Sequence, residues 1–363
     1  MKTKNIRIIG AVALAAVWLG LTLWAWLRPA DDVSTAERRP LEQFPELSVE
    51  TVLGGSFMTD FESYTLDQFP LRDGFRSVKA LFQKYALGQS DNNGIYLTQD
   101  HAAQLEYPYD KGSIDHAVQR FQYVYDTYLQ NCKVYMTVVP DKGYYLAEAN
   151  GYPAMDYETL FADMEAGMPW ATHIDLTDCL TLDSYYRTDT HWRQEAILPA
   201  AEKLAAAMGV TVGQFTATER EEPFYGVYYG QAALPVEPDT LVLMENDLLS
   251  QCRVYDHESG TWGSVYDLGK LTGDDLYEVF LSGSRSLLTI ENPNAATDRE
   301  LIVFRDSFGS SMVPLLVRDY ARVDVVDIRY LNAALLGNFL EFEDQDVLFL
   351  YSTLVLNNSE TIK

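Results

Sequence analysis

Cysteine is scarce in this chain: three residues in 363, at Cys132, Cys179 and Cys252. They are odd in number, far apart, and form no C-x-x-C pair, which excludes a zinc ribbon and a dense disulfide framework. Buried, inert thiols, with at most one bridge, are the expectation. Histidine is nearly as rare, with five residues and no H-x-x-x-H or comparable ligand spacing, so no metal site is expected. No stretch matches G-x-x-x-x-G-K-[ST], and no phosphate loop or other cofactor motif is expected. Basic residues are outnumbered, 27 against 53 acidic, for a net charge of −26. Such a surface repels phosphate backbones, so nucleic acid is not an expected partner.

What is present is apolar. Hydrophobic residues make up 47% of the chain, enough for a substantial core. Lys2, Lys4 and Arg7 precede an uncharged run from Ile8 to Leu27 that is long enough for a helix to cross a ~30 Å hydrocarbon layer. A cleaved signal would carry a shorter apolar region of roughly 7–15 residues. The expected organisation is a cytoplasmic tail over residues 1–7, a transmembrane anchor over 8–27, a polar linker over 28–40 and an extracytoplasmic domain over 41–363. The protein would then sit in the cell membrane with a single pass and a cytoplasmic N-terminus.

Within that domain, residues 48–69 and 75–87 read as helices, the second with Val78, Leu81, Phe82 and Tyr85 at helical spacing. A turn at Asp91–Gly94, a helix over Ser113–Gln130 and a strand at "KVYMTVV" follow. A helix is expected to open at His191 and run to Gly209, with Pro199 kinking or breaking it. Short alternating runs between Thr211 and Glu291 read as a β-rich insertion. The continuous runs "ELIVF", "VDVVDI" and "DVLFLYS" then imply an α/β fold, a mostly parallel sheet covered by helices.

Two stretches carry chemistry. In "LIVFRDSFGSSM" a buried strand ends at Asp306-Ser307 and a helix follows, the place where α/β sheets hold their sites. Serine needs a base, and the base an orienting acceptor. The "YYRTDTHW" segment offers both as Asp189 and His191, which equally read as an ordinary helix start with Asp189 or Thr190 as its cap. Backbone amides at Ser307, Phe308 and Gly309 are the candidate oxyanion donors. Trp192 and Arg329 are candidate substrate contacts, each with a packing or salt-bridge alternative.

The ordered set "DQFPLRDGFRSVKALF", "NNGIYL", "VVPDKGYYL", "YYRTDTHW", "FYGVYYG", "FRDSFGSSMVPLL", "VDIRYL" and "DVLFLY" resembles the DHHW protein family. That family falls in the SGNH-hydrolase-like group with the bacterial alginate O-acetyltransferases. The resemblance implies Asp189 as acid, His191 as base and Ser307 as nucleophile. Thr190 stands where the family's naming motif has its first histidine, so a role for two adjacent histidines is not expected. It further implies O-acetyl transfer to a cell-surface or exported polysaccharide through an acyl-serine, with a membrane-bound O-acyltransferase as supplier of acyl groups. A carbohydrate esterase or deacetylase using the same residues, and a non-catalytic glycan-binding envelope protein, are the alternatives.

Overall fold

The three runs of branched and aromatic residues near the C-terminus do form the middle of a sheet. In the computed structural model, which describes residues 2–363, eight strands make one central sheet. In chain order they are β1 (Lys133–Val139), β2 (Thr172–His173), β3 (Arg253–Asp256), β4 (Thr261–Gly263), β5 (Leu287–Glu291), β6 (Arg299–Arg305), β7 (Tyr320–Val326) and β8 (Asp346–Ser352). Their spatial order is β4-β3-β5-β7-β6-β8-β1-β2. Strands β7, β6, β8, β1 and β2 run parallel, and β5, β3 and β4 extend the sheet antiparallel. The fold is therefore α/β with a mostly parallel sheet.

Side chains alternate across such a sheet, and here both faces are apolar. Leu301, Val303, Leu348 and Leu350 enter one core cluster, while Ile302, Phe304, Val347 and Phe349 enter the other. The first core also receives Met312, Val313, Leu315 and Leu316 of the wholly buried helix Gly309–Leu316. Helix Lys111–Val124 contributes Ile114, Ala117 and Phe121 to the second. Each such side chain larger than alanine contributes about 1.5–3 kcal/mol when taken out of water. Truncating Phe304, at 0% exposure, to alanine would cost about 3–5 kcal/mol.

The stretch 211–291 is not separate from this sheet, since it supplies β3, β4 and β5. Its other strands, Thr216–Phe224 and Asp239–Glu245, pair with each other. The helix expected from His191 onward starts later, as Leu198–Met208. Pro199 sits in its first turn, where proline's missing N–H loses no bond, so the helix begins there rather than passing through. All three cysteines are free, with Cys252 buried and Cys132 and Cys179 half-buried.

The chain divides into two compact units, residues 1–93 with 230–235, and residues 94–229 with 236–363. The larger one holds the sheet. The smaller holds helices Lys2–Leu27, Val49–Gly54, Ser56–Asp67 and Arg72–Tyr85. Gly55, in the left-handed region at φ 84°, separates the middle two. The segment Asn5–Leu27 is long and apolar enough to cross a membrane. Met1, in the expected tail, lies outside the described residues.

Candidate active site

The site lies in the larger unit, beyond the carboxyl ends of β6, β8 and β1. Asp306 follows β6 and is fully buried. Its Oδ1 accepts from Phe308 N at 3.0 Å, and its Oδ2 from Ser352 N at the end of β8 at 2.7 Å. One carboxylate thus tightens the strand-to-helix turn and fixes it to the neighbouring strand. Ser307, next in sequence, is left half-exposed at the tip of that turn.

The "YYRTDTHW" segment is a closed loop. Tyr185 and Trp192 form an antiparallel bridge, and Tyr186 N donates to His191 O at 3.1 Å. Asp239 accepts from Arg187 N and Thr188 N, both at 2.8 Å, and from Thr188 Oγ1 at 2.6 Å. The Thr188 hydroxyl oxygen in turn accepts from Gly226 N at 2.9 Å. Gly226 is required there, because a Cβ would collide with Asp189 Cα and Cβ. That close approach brings Val227 N to 2.9 Å from Asp189 Oδ2.

Asp189 is fully buried and its Oδ1 lies 2.6 Å from His191 Nδ1, also accepting from His191 N at 3.1 Å. His191 Nε2 lies 2.7 Å from Ser307 Oγ. With Nδ1 donating to the carboxylate, Nε2 is the nitrogen left to accept the serine proton. The structure therefore brings together Asp189, His191 and Ser307 across 116 residues. Neither Asp189 nor Thr190 caps a helix. Thr190 Oγ1 instead accepts from Tyr228 OH at 3.0 Å.

Tyr277, which no motif marks out, stacks on His191 with centroids 3.8 Å apart and planes 5° from parallel. Its hydroxyl lies 3.2 Å from Ser307 O, to which it donates in one rotamer, and 2.8 Å from Ser311 Oγ. Burial, together with the nearby Asp189 and Asp306 charges, pushes its pKa well above the usual phenol range, so it stays neutral. Lys142, in the loop after β1, is also buried. It donates to Tyr186 O at 3.0 Å and Arg187 O at 3.3 Å and sits 4.9 Å over the Tyr228 ring. Burial pushes its pKa down to about 7, against the opposing pull of Asp189, Asp239 and Asp141.

Four expectations change. Phe308 N–H points at the Asp306 carboxylate and Gly309 N–H at Asp306 O, 3.0 Å each, so neither is available to an oxyanion. Of the three amides, that of Ser307 is left. Trp192 is 0% exposed and braces the turn through Nε1 to Phe308 O at 3.1 Å and Ser311 Oγ at 2.9 Å, so it does not wall a substrate. Arg329 spends its planar fork on Asp327, at 2.9 and 2.7 Å, and forms a salt bridge rather than a substrate contact.

These features define the class, an α/β protein with a serine, a histidine and an aspartate in hydrogen-bonded series at its strand ends. Residues 179–326 match the family described as DHHW protein, a stretch that contains Asp189, His191 and Ser307, so the resemblance carried by the motifs holds. Among solved structures, a DHHW family protein from Eubacterium siraeum is similar with a TM-score of 0.60 at 22% identity, covering 75% of this chain and 95% of that one. Bacillus cereus PatB1, in a structure with a sulfonyl adduct, gives a TM-score of 0.56 at 17% identity over 72% and 95%. The O-acetyltransferase domain of Pseudomonas putida AlgJ gives 0.45 at 16% identity over 73% and 92%. No curated protein matches the sequence.

Proposed function

We propose that this chain is a membrane-anchored, extracytoplasmic serine O-acyltransferase that moves an acyl group, most simply acetyl, onto a polysaccharide hydroxyl. The observation that carries the reading is the unbroken series of short contacts, 2.6 Å from Asp189 to His191 and 2.7 Å from His191 to Ser307. The apolar helix ending at Leu27, with Lys2, Lys4 and Arg7 in its first turns, supports the anchor and its orientation.

In the reading, Ser307 Oγ attacks the donor carbonyl as His191 Nε2 takes its proton. The new C–O bond forms, the bond to the leaving group breaks, and His191 returns the proton to that group. A sugar hydroxyl then gives its proton to His191 and attacks the acyl-serine, and Ser307 Oγ recovers the proton as it leaves. Asp189 stays ionised and balances the imidazolium at both stages. The Ser307 amide donates to the oxyanion. A membrane-bound O-acyltransferase is the proposed source of the acyl groups. With water in place of the sugar, the same residues make an esterase.

The test is acetyl release from a chromogenic acetyl ester by the full chain in detergent, beside Ser307→Ala and His191→Ala, with and without a glycan acceptor. Both variants should fall by roughly 10³-fold or more. A sulfonyl fluoride should label Ser307 in the wild type and fail to label the protein when His191 is alanine. Faster release with the acceptor, accompanied by acetylated glycan, identifies the transferase; acceptor-independent release identifies the esterase. Equal release from all three proteins overturns the reading.

A further inference from the structure

The segment "RDGFRSVKALFQKY" forms helix Arg72–Tyr85, and its apolar residues repeat at 75, 78, 82 and 85, continuing from Leu71. That spacing lines them along one side of a helix. A core-facing stripe would be buried. Here Phe75 is 50% exposed, Val78 65%, Phe82 58% and Tyr85 76%, while Ala80 on another side is buried. An aromatic and aliphatic stripe of this length left to water marks a contact surface.

Its surroundings indicate what covers it. Asp31 N donates to Gln68 Oε1 at 2.9 Å, and Gln68 Nε2 donates back to Asp31 O at 2.8 Å. Arg72 pairs with Glu37 at 2.6 Å, and Arg39 grips Asp67 at 2.6 and 2.8 Å. Asp31 lies four residues beyond Leu27, the end of the apolar N-terminal helix. The amphipathic helix therefore starts where the chain leaves that apolar helix, and both belong to the same compact unit. Charge points the same way. On a chain of net charge −26, Lys79 stands beside the stripe, and Lys84 on the same helix reaches to 6.0 Å from the Tyr85 ring. A low overall hydrophobicity, a sharply divided surface and a lysine at the boundary characterise helices that lie in a membrane interface.

We infer that helix Arg72–Tyr85 rests on the bilayer leaflet from which the chain emerges, as a second membrane contact. Leu71, Phe75, Val78, Phe82 and Tyr85 enter the boundary between headgroups and acyl chains, and Lys79 meets anionic lipid phosphates. This inference rests on the N-terminal helix being a membrane span. The surface holds the unit at the membrane by two contacts instead of one, which limits its swing about the linker.

The experiment uses the full chain in vesicles of phosphatidylcholine and phosphatidylglycerol in equal parts. Cys132, Cys179 and Cys252 are first replaced by alanine. A nitroxide is then placed singly at Val78→Cys, at Asp73→Cys on the polar side of the helix, and at Leu19→Cys inside the apolar helix. Collision rates with oxygen, which concentrates in hydrocarbon, are compared with those of a water-soluble nickel chelate. Oxygen should exceed nickel severalfold at Val78 and Leu19, and nickel should exceed oxygen at Asp73. A nickel-rich Val78 beside an oxygen-rich Leu19 overturns the inference and leaves the anchor standing. A nickel-rich Leu19 overturns the anchor and with it this inference. Exclusion of both reagents at Val78, with dipolar broadening between labels, overturns it in favour of a second copy of the chain on this face.

Discussion

Tyr277 acts on the proposed base and on the nucleophile's turn at once, through its ring and its hydroxyl. The ring covers one face of His191, and the hydroxyl reaches Ser307 O and Ser311 Oγ. The two roles separate by mutation. Tyr277→Phe keeps the stack and loses hydrogen bonding worth about 0.5–1.5 kcal/mol, so kcat on a small ester should fall by roughly 2- to 10-fold with KM unchanged. Tyr277→Leu also frees the imidazole and should fall further, as steady-state kinetics on the two variants will register. Lys142 gives a pH signature. Its pKa is about 7 in the folded chain, against about 10.4 for a lysine in the unfolded one. Between those values the unfolded chain holds a proton that the folded chain has shed. Stability gained from this group therefore rises with pH above 7, by about 1.4 kcal/mol per unit. In denaturant unfolding from pH 7 to 9, Lys142→Met should remove that slope, so wild type gains stability relative to the variant as pH increases. A parallel pair of curves would show that Lys142 is charged when buried.

The loop that carries Asp189 and His191 depends on one small residue in another loop. Gly226→Ala would push a methyl group into the Asp189 backbone, and fully buried Asp189 has nowhere to retreat. The loop must shift or strain, so stability should drop by about 1–3 kcal/mol in denaturant unfolding. The hydrogen bond from Val227 N to Asp189 should weaken with it, lowering kcat on a small ester more than KM changes. The dependence also explains what the sequence made legible. Strands β6 and β8 hold uninterrupted apolar runs and β1 one broken only by Thr137, so composition and length identify them without tertiary information. Asp189, His191 and Ser307 each read locally as an ordinary helix start or cap as readily as a site, and only the ordered set of family motifs joins them. The groups that hold them, Gly226, Asp239 and Tyr277, lie in a stretch whose alternation announces strands but not which side chain turns inward. Their contacts with the loop or with the Ser307 turn span some 30 to 50 residues, and no local pattern encodes that. Trp192 and Arg329 misled for the same reason, since an aromatic or a guanidinium next to a site reads alike whether it faces substrate or braces a turn.

Net charge bears on the proposed acceptor more than on the fold. An excess of 26 negative charges spreads a repulsive field over approaching polyanions, and that field is screened over about 8 Å at physiological ionic strength. A glycan of uronic acids would meet this field along its whole length, whereas a neutral glycan or a small ester would not. The proposed Ser307 chemistry itself is local, running through short contacts to His191 and from His191 to buried Asp189, so salt should leave it nearly unchanged. The two effects therefore separate in one experiment, in which acetyl transfer is measured against sodium chloride concentration for a polyuronate, a neutral polysaccharide and a chromogenic ester. For the polyuronate, kcat/KM should climb with salt as the repulsion is screened, while kcat changes little because encounter, not chemistry, is affected. For the other two substrates both constants should stay flat. A polyuronate whose kcat/KM instead falls with salt would mean that a local cationic surface outweighs the global charge and draws the polyanion in, and the acceptor would then be an acidic glycan that this chain selects by attraction.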